Sequence, residues 1–319
     1  MPQSSETVRD SAQADASHAG MRLDQVAALL FPEHSRARLQ KWISKGELTV
    51  DGKLSKVTYR INGGERLCLD ARTELQVSVV PQDIPLNLIH ADPDLIVVNK
   101  PAGLVVHPAA GNPDGTLQNA LLHFDPALAN LPRSGIVHRL DKDTSGVMVV
   151  ARSLRAHTSL VDQLQTRTMS RRYRAVATGE IVAGGTVNAP IGRHPRDRKR
   201  MAVVHSGKPA VTHYRVLKRY PGATYLEVAL ESGRTHQIRV HMAHIGHSLA
   251  GDPVYGRPLK NRKKIPAELV QRLRSFPRQA LHAFQLTLVH PASNQHHTYE
   301  APLPADLQTL LAELDGFIA

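Results

Sequence analysis

Residues 135–152 have the sequence GIVHRLDKDTSGVMVVAR, and this segment indicates both a buried sheet and the chemistry it supports. Two apolar runs, Gly135–Val137 and Val147–Val150, have the composition of strands. The loop between them concentrates polar side chains: His138, Arg139, Asp141, Asp143, Thr144 and Ser145. Core packing does not require such a density, whereas loops held on strands commonly carry function. With no cysteine or metal-ligand cluster beside the loop, we predict a cofactor-free reaction carried by the Asp141 carboxylate.

Length and composition bound the class of protein. The 319 residues are 41% hydrophobic, enough for a sizeable core and two domains of roughly 150 residues each. No apolar run approaches the roughly 18 residues of a membrane span, and the opening MPQSSETVRDSAQADASHAG lacks the apolar core of a signal peptide. Its small, polar composition predicts a disordered tail over residues 1–20. The lone cysteine, Cys68, excludes an internal disulfide, so we expect a cytoplasmic protein.

Positive charge is concentrated in short segments. The chain has 40 Lys and Arg against 28 Asp and Glu, a formal net charge of +12. Residues 171–200 hold eight of the basic residues and two acids, and residues 256–264 hold five with no acid. Focused basic patches are typical of polyanion binding. The basic run RHPRDRKR (residues 193–200) contains Pro195 and offers no apolar face to a membrane surface, so we predict a nucleic acid partner.

Residues 21–75 have the pattern of a small helical module followed by a hairpin. MRLDQVAALLF (residues 21–31) places apolar side chains at helical spacing, and SRARLQKWISKG (residues 35–46) separates an apolar face from a basic one. Asp51-Gly52 is a strong hairpin signal. A basic helical face suits structured RNA, although charge alone is equally typical of a solvated surface.

A second domain is expected over residues 86–319, after a linker at residues 76–85 that includes the proline-punctuated PQDIP. Strand patterns occur at Leu86–His90, Leu95–Val98, Arg172–Thr178, Tyr214–Leu217, Thr224–Leu230 and Leu281–Val289, and helix patterns at Thr116–Phe124 and Ser153–Thr168. Helices and hairpin-type strands mix without strict alternation. This mixture predicts an α+β domain with a mixed, largely antiparallel sheet flanked by helices.

Asp141 has other interpretations when it is considered alone. A loop carboxylate often caps a backbone turn. The sequence His-Arg followed by Asp resembles a protein kinase catalytic loop, but Leu140 intervenes, position 146 is Gly, and no Gly-rich phosphate loop is present. Gly207-Lys208 is no phosphate loop either, because Pro209 stands where Ser or Thr is required. These departures exclude phosphoryl transfer.

ESGRTHQIRVHMAHIGH (residues 231–247) predicts a helix capped by Thr235 and ended by Gly246, with an apolar stripe through Ile238. Arg239 falls off that stripe and is free to face a cleft, where it would stabilise a carboxylate. A phosphate-contacting or surface arginine is an equally ordinary interpretation. The four histidines of this segment suggest a metal, but their helical pair is spaced i, i+3 with no cysteine nearby, so we expect no metal site.

RRYRAVATGE (residues 171–180) places Tyr173 among three arginines on a predicted strand. Aromatic residues make up only 4% of the chain, so a ring in this setting is conspicuous. Arginines for phosphate and one ring for base stacking suit the capture of a nucleotide. A half-buried strand tyrosine is the plainer alternative.

Together these segments resemble the RluA family of pseudouridine synthases, over nearly the whole chain from Arg22 onward. The matching motifs are NKPAGLVVHPAAGNPDGT (99–116), GIVHRLDKDTSGVMVVAR (135–152), RRYRAVATG (171–179), GKPAVTHYRV (207–216), GRTHQIRVHMAHIGH (233–247) and GDPVYG (251–256). Residues 21–75 resemble the S4 RNA-binding domain in RLDQ, SRARLQKWISKG and TVDGK. The resemblance implies a synthase catalytic domain behind an S4 domain.

The resemblance also implies a role for each matched residue. Asp141 is implied to be the catalytic aspartate, Tyr173 the tyrosine that packs against the target base, and Arg239 the arginine that pairs with the aspartate. Arg139 is implied to enter the RNA where the uridine leaves, and Ile238 to line the base pocket. Further residues are expected to contact RNA phosphates: Arg36, Arg38 and Lys41 in the S4 domain, and Arg196, Arg198, Lys199 and Arg200 in the basic run.

The implied reaction breaks the N1–C1′ bond of uridine, turns the base and joins C5 to C1′. No atom enters or leaves and no redox change occurs, so no cofactor is needed. Three uses of the carboxylate stay open: attack at C1′, attack at C6, or removal of a ribose proton. The target base must be flipped out of the RNA first. The implied substrate is a stem-loop of large-subunit (23S) ribosomal RNA, and we expect a monomer with no metal and no membrane partner.

Two rival hypotheses fit parts of the same pattern. A non-catalytic RNA-binding or ribosome-assembly factor would use the basic segments but has no need for Asp141 or Arg239. A nucleic acid hydrolase would pair Asp141 with Asp143 around Mg²⁺.

Overall fold

The structure, a computed structural model, describes residues 6–34, 36–73, 79–109, 111–258 and 265–318. It divides into two compact units, Met1–Ser78 and Val79–Ala319, and each is described by itself. The division falls inside residues 76–85, where the sequence predicts a linker. Among the described residues, no helix is both long enough and apolar enough to cross a bilayer.

The first unit combines two helices with a three-stranded antiparallel sheet. The helices are α1 (Leu23–Leu30) and α2 (Arg36–Lys45), and the strands are β1 (Glu6–Gln13), β2 (Leu48–Val50) and β3 (Arg66–Thr73), in the order β1-β3-β2. Buried residues recur at helical spacing, as with Leu23 and Val26 in α1 and Leu39 and Ile43 in α2. These faces meet the sheet residues Leu67 and Leu69 in one apolar core.

Part of the segment expected to be a disordered tail is an outer strand of this sheet. Glu6–Gln13 pairs antiparallel with Arg66–Thr73 without a register shift, and a short 3-10 helix follows at Ala16–His18. The prediction of disorder over residues 1–20 is therefore wrong for these residues. The strand is stabilised by backbone pairing with a strand about 60 residues away, which local composition does not reveal.

The turn predicted at Asp51-Gly52 is present, and an isolated bridge joins Val50 to Lys53 across it. It is not the loop of a two-residue hairpin, however, because residues 51–65 lie between β2 and the strand that pairs with it. The ladder partner of β2 is β3, which begins at Arg66. The local hairpin signal thus placed the turn correctly and did not identify the strand that pairs with β2.

The second unit is an α+β domain. Its strands are β4 (Leu88–Ala91), β5 (Leu95–Lys100), β6 (Ser145–Ala151), β7 (Ser170–Thr178), β8 (Gly185–Asn188), β9 (Ile191–Arg193), β10 (Met201–Val203), β11 (Val211–Tyr220), β12 (Ala223–Leu230), β13 (Leu281–Val289) and β14 (His296–Glu300). Its helices are α3 (Leu117–Phe124), α4 (Leu154–Gln165), α5 (Gln237–His244), α6 (Ala267–Ser275) and α7 (Ala305–Asp315). Most strands and helices predicted from sequence patterns are found within a few residues of the expected bounds, and Leu281–Val289 matches at both ends.

The main sheet has the order β4-β5-β6-β13-β7-β12-β11-β8, and β14 also pairs with β13. In the part of the chain that the structure describes, every named strand pair is antiparallel except β6 with β13. The predicted mixed, largely antiparallel sheet is therefore confirmed. Gly146 (φ +120°) makes the parallel joint possible, because a Cβ there would lie 2.1 Å from the carbonyl oxygen of Ala283.

The polar loop ends on β6, whose seven residues are all buried. The segment before the loop differs from the prediction of a strand at Gly135–Val137. Pro132–Gly135 forms a 3-10 turn with positive φ at Arg133 and Ser134, and Ile136 makes an isolated bridge to Val150. The chain therefore enters the loop from a tight turn and leaves it on a rigid central strand.

Candidate active site

A cavity of about 630 Å³ lies in the second unit beside the polar loop. Its wall combines the loop before β6, the start of β7, and the segment from the end of β12 into α5. The lining includes His107, Arg133, His138, Arg139, Asp141, Arg167, Arg171, Tyr173, Arg234, His236, Ile238 and Arg239. Asp141, Tyr173 and Arg239, the three residues expected to be catalytic, thus share one cavity, although 98 residues separate Asp141 from Arg239.

The carboxylate of Asp141 faces this cavity and is 17% exposed. Arg239 donates from Nη1 to Asp141 Oδ2 at 2.9 Å. The turn around Asp141 is closed by its backbone carbonyl, which accepts from the N–H of Thr144. The carboxylate is therefore paired with a cation across the cavity wall, whereas turn capping was the alternative for this side chain.

Arg239 is itself held by a second carboxylate. Its Nε and Nη2 donate to Oδ2 and Oδ1 of Asp252 at 2.7 and 2.9 Å, and both side chains are buried. Burial by itself lowers the pKa of Arg239, but the hydrogen bonds and charge of Asp252 outweigh it and raise that pKa. Burial acts to raise the pKa of Asp252, and the bonds from Arg239 overcome this and lower it. This bidentate pair fixes the guanidinium and leaves Nη1 directed at Asp141.

His236 and Tyr255 form a hydrogen-bonded layer on another side of Asp141. The Tyr255 hydroxyl accepts from the Met201 N–H at 2.9 Å and lies 2.8 Å from His236 Nδ1. We assign the hydroxyl proton to the bond with Nδ1 and the imidazole proton to Nε2, which lies 3.8 Å from Asp141 Oδ1. Burial lowers the pKa of His236, with Asp141 acting in the opposite direction.

The start of α5 differs from the sequence prediction. Thr235 was expected to cap the helix, but the N-cap is His236 in the left-handed region (φ 56°), with no side-chain capping bond. This conformation is rare for a residue other than glycine. It is held by the hydrogen bond from Tyr255, so the backbone strain coincides with the placement of the imidazole beside Asp141.

Tyr173 lies on β7 and is 6% exposed. Burial raises the pKa of its phenol, so the hydroxyl is protonated at neutral pH. Because side chains alternate along a strand, Arg171 shares the cavity side with Tyr173. Arg172 and Arg174 instead form ion pairs with Glu227.

The loop that carries Asp141 is anchored by a buried lysine. Lys100 is 1% exposed, and its Nζ donates to three carbonyls at 2.8–2.9 Å: those of Pro101, Leu104 and Lys142. Burial lowers the pKa of Lys100 to about 7, with Asp143 and Asp141 acting in the opposite direction. On the other side of the loop, Arg278 Nη1 donates to the carbonyl of Asp143 at 3.1 Å. The backbone on both sides of the reactive position is thereby fixed.

The other residues matched by resemblance occupy different positions around the cavity. Arg139 is exposed and Ile238 is 3% exposed, and both line the cavity. Asp143, the second carboxylate of the hydrolase hypothesis, is not among the lining residues of the described chain. The cavity wall therefore presents Asp141 together with Glu231, and Glu231 is already paired with Arg167 and His213.

The basic run lies between the two strands of the β9–β10 ribbon. Arg196, Arg198 and Lys199 are exposed, and the Arg200 guanidinium carbon lies 5.2 Å from the centre of the Tyr255 ring. The end of this loop is joined to the active-site layer by the Met201–Tyr255 hydrogen bond. The second basic patch, residues 256–264, falls mostly outside the described residues.

In the first unit, Arg36 has a partner that the sequence did not suggest. Asp24 is fully buried and accepts from Arg36 Nη2 and Gln40 Nε2, each at 2.6 Å, and from Arg22 Nε at 3.0 Å. Arg38 lies with its guanidinium carbon 5.8 Å from the centre of the Trp42 ring. The third residue expected to contact phosphate, Lys41, is exposed on α2.

Two of the remaining histidines of residues 231–247 are used within the fold. His241 is within hydrogen-bond distance of Thr212 Oγ1 and the Ala189 carbonyl, at 2.8 and 2.9 Å. His247 Nδ1 lies 2.9 Å from the Thr178 carbonyl. Among the described residues, no group of three or more His, Cys, Asp or Glu side chains is placed to hold a metal ion.

Known proteins share both units. A family model described as RNA pseudouridylate synthase matches residues 94–244, and an S4 domain model matches residues 21–67. The curated relatives include proteins named ribosomal large subunit pseudouridine synthase D. The one from Pseudomonas aeruginosa is 54% identical, covering 97% of each chain. The one from Xanthomonas campestris is 55% identical over 93% of this chain and 90% of the relative, and that from Escherichia coli O157:H7 is 51% identical over 95% and 94%.

Two solved structures of human proteins resemble the chain at 26% identity. RNA Pseudouridylate Synthase Domain Containing 4 matches with a TM-score of 0.56 over 72% of this chain and 93% of the other. RNA Pseudouridylate Synthase Domain Containing 1 matches with a TM-score of 0.54 over 72% and 89%. The chain belongs to the RNA pseudouridylate synthase family. It is an isomerase that makes pseudouridine in RNA, and it carries an S4 domain before the catalytic domain.

Proposed function

We propose that this enzyme converts uridine to pseudouridine in large-subunit (23S) ribosomal RNA, at uridines in a stem-loop. The observation that carries the proposal is the shared cavity of Asp141, Arg239 and Tyr173. The names of the close relatives and the S4 domain support ribosomal RNA as the substrate class. We infer that the protein acts in the cytoplasm as a monomer, where its substrate is made.

Asp141 is the group that we assign to bond breaking. The reaction cleaves N1–C1′, rotates the base, forms C5–C1′ and moves the C5 proton away while N1 gains a proton. A carboxylate fixed by Arg239 is positioned to attack C1′ or C6 or to take a ribose proton. In each case the Arg239–Asp252 pair holds the carboxylate in one orientation.

Tyr173 and Arg139 are assigned to base flipping. Extruding a nucleotide costs a few kcal/mol, which contacts made in the flipped state must offset. Tyr173 presents a buried ring in the cavity wall for stacking, with apolar Ile238 beside the base. Arg139 is exposed at the cavity and long enough to occupy the space that the base leaves in the RNA. Seven further cations are assigned to contacts with the phosphates of the RNA backbone: Arg36, Arg38, Lys41, Arg196, Arg198, Lys199 and Arg200.

The test is Asp141→Asn. Pseudouridine formation in large-subunit RNA is expected to fall by at least roughly 10⁴-fold, because the amide cannot act as nucleophile or base. RNA affinity is expected to stay within about threefold, since no phosphate contact is removed. The measurement is single-turnover pseudouridine formation beside filter binding of the same RNA.

Asp143→Asn serves as the matched control, because it removes a neighbouring carboxylate that does not line the cavity. A full rate in Asp141→Asn would overturn the catalytic assignment. Loss of pseudouridine formation by the wild type in excess chelator would instead mean that the reaction depends on a metal ion.

A further inference from the structure

Arg171 is a buried cation in the wall of the active-site cavity. It lies two residues before Tyr173 on β7 and is 7% exposed. Gly233, across the cavity wall, leaves room for its guanidinium: a Cβ on Gly233 would lie 2.7 Å from Arg171 Nη1. The side chain is thus held inside the cavity rather than extended into solvent.

Arg171 has no counter-ion in the described part of the chain. Three arginines are buried among these residues. Arg239 is paired with Asp141 and Asp252, and Arg278 with Asp306. The Nε of Arg171, by contrast, is a buried donor with no hydrogen-bond partner. A buried cation that lacks a carboxylate is strongly unfavourable in the absence of ligand.

The side chains around Arg171 do not offset the unfavourable free energy of burying its charge. His138 lies close enough for Arg171 to disfavour its charged form. Burial first, and Arg171 second, lower the pKa of His138 to about 3. The same cation acts to lower the pKa of the Tyr173 phenol, against the larger effect of burial. Neither neighbour supplies a negative charge at neutral pH, so the anion that Arg171 requires must come from the substrate.

Position within the cavity selects which part of the substrate Arg171 contacts. Arg133, Arg139 and Arg167, which also line the cavity, are exposed and can meet phosphates where these remain hydrated. Arg171 is buried on the same strand face as Tyr173, the ring assigned to stack on the extruded base. A donor at this depth is placed for the base rather than for the backbone.

Building on the proposed function, we propose that Arg171 donates a hydrogen bond to a ring carbonyl oxygen of the extruded uracil and stabilises the negative charge that develops there. When N1–C1′ breaks, its electron pair stays on the ring and spreads to O2 and O4. Attack at C6 moves charge through C5 to O4. A contact at O4 therefore strengthens toward the transition state whichever use Asp141 makes of its carboxylate, and a contact at O2 does so when N1–C1′ breaks.

The first test is Arg171→Gln. We expect the single-turnover rate to fall by about 10²–10³-fold, the range for loss of one donor to a developing oxyanion. RNA affinity is expected to stay within about threefold, and the Tm to be equal to or higher than that of the wild type, because an unpaired buried charge has been removed. A structural role would instead lower the Tm. Arg172→Gln, which alters the adjacent exposed arginine, is the matched control and is expected to keep the wild-type rate.

The second test pairs the protein change with a change in the base. RNA carrying 2-thiouridine or 4-thiouridine at the modified position weakens one ring acceptor at a time. In the wild type, one of the two thio-substituted RNAs is expected to react more slowly than the uridine RNA. In Arg171→Gln we expect this rate difference to be smaller by about tenfold or more. Arg171→Lys replaces the glutamine variant should the latter fail to fold. No coupling at either position would overturn the proposal.

A different outcome would also overturn it. If Arg171→Gln keeps its single-turnover rate, binds RNA more weakly and lowers the salt slope of binding by about one, Arg171 contacts a phosphate. The wild-type and Arg172→Gln rates decide separately whether ribosomal RNA is the substrate. If the wild type and Arg172→Gln form no pseudouridine in ribosomal RNA, the proposed function is wrong. A lower rate of Arg171→Gln relative to the wild type reports only on the role of Arg171.

Discussion

The Arg239 guanidinium serves two carboxylates at once. Two of its nitrogens, Nε and Nη2, donate to Asp252, and the third, Nη1, donates to Asp141. Asp252 also accepts the N–H groups of Val254 and Tyr255, so it fixes the following turn as well. The orientation of Asp141 therefore depends on a side chain 111 positions later in the chain that does not line the cavity.

Asp252→Asn tests this dependence. The amide keeps an acceptor for the turn but presents N–H groups to Arg239, so one of the two charge-assisted bonds is lost. We expect kcat to fall by about 10–100-fold with RNA affinity unchanged, and unfolding free energy to fall by about 3 kcal/mol because a buried ion pair is broken. The measurements are pseudouridine formation at saturating RNA and thermal unfolding.

Asp252→Glu is the companion variant, since it keeps the charge. A rate in the Glu variant closer to wild type than that of the Asn variant would support positioning through the ion pair. Equal kcat in wild type and Asp252→Asn would show that Arg239 holds Asp141 without help.

At this scale the sequence identified the residues whose surroundings are unusual. Asp141 stands out because a polar loop interrupts two apolar runs, and Arg239 because it falls off an apolar stripe. Asp252 escaped notice because Gly-Asp-Pro is an ordinary turn sequence. Lys100 escaped notice because its burial depends in part on the carbonyl of Lys142, 42 positions away, which no local pattern encodes.

Among the elements, the basic loop of residues 194–200 combines exposure with a fixed attachment. Its tip carries exposed cations, and its end is bonded to Tyr255. Neutralising four residues together, Arg196, Arg198, Lys199 and Arg200, is expected to weaken RNA binding. The slope of log K against log salt should become shallower by about 3, at 0.7–0.9 per phosphate contact. Filter binding over a salt series measures this slope.

A control with four exposed cations removed elsewhere in the second unit separates local contact from net charge: Arg155, Lys218, Arg272 and Arg274. This control should change the slope by less than the loop variant does. Equal slopes for the loop variant and the wild type would mean that the loop does not contact RNA.

Local patterns predicted elements well where periodicity and caps agree. Thr116 caps α3 and Ser153 caps α4 through side-chain bonds, next to where the helices were expected to begin. The predictions failed where a distant partner decides the conformation. β1 is a strand because β3 pairs with it, and Gly135–Val137 turns because positive φ values precede it.

The chain forms two compact units, and we expect the first to contribute to RNA binding and the second to carry out catalysis. In the first, Asp24 ties Arg36 to the core of the S4 domain. Asp24→Asn should weaken RNA binding by about 3–10-fold, because Arg36 loses its orientation. The value of kcat at saturating RNA should be unchanged, since the catalytic cavity lies in the second unit. A fall in kcat with constant affinity would contradict this division.

The same substitution has a pH signature. Burial acts to raise the pKa of Asp24, but bonds from Gln40, Arg36 and Arg22 outweigh it and lower that pKa to about 2. Because the pKa of Asp24 is lower in the folded than in the unfolded state, the ionised carboxylate stabilises the fold at pH values above the unfolded-state pKa. This stabilisation is lost as the pH falls through the folded-state pKa. The Tm difference between wild type and Asp24→Asn should therefore shrink between about pH 4 and pH 2, as measured by thermal melts.

The sequence could predict an α+β domain but not the order of its strands. The order depends on β13, which enters between β6 and β7 from far along the chain. Ser145 pairs with His282 across 137 positions, and nothing near Ser145 announces that partner.

The position of β13 late in the chain also determines the order in which the two units can fold during synthesis on the ribosome. The first unit is complete once Ser78 has emerged, whereas the catalytic loop gains its neighbour only when β13 is synthesised. At 5–20 residues per second, about 200 further residues take roughly 10–40 s. During that interval the growing chain already has its RNA-gripping module and has no finished catalytic centre, so attachment to RNA can precede the ability to modify it.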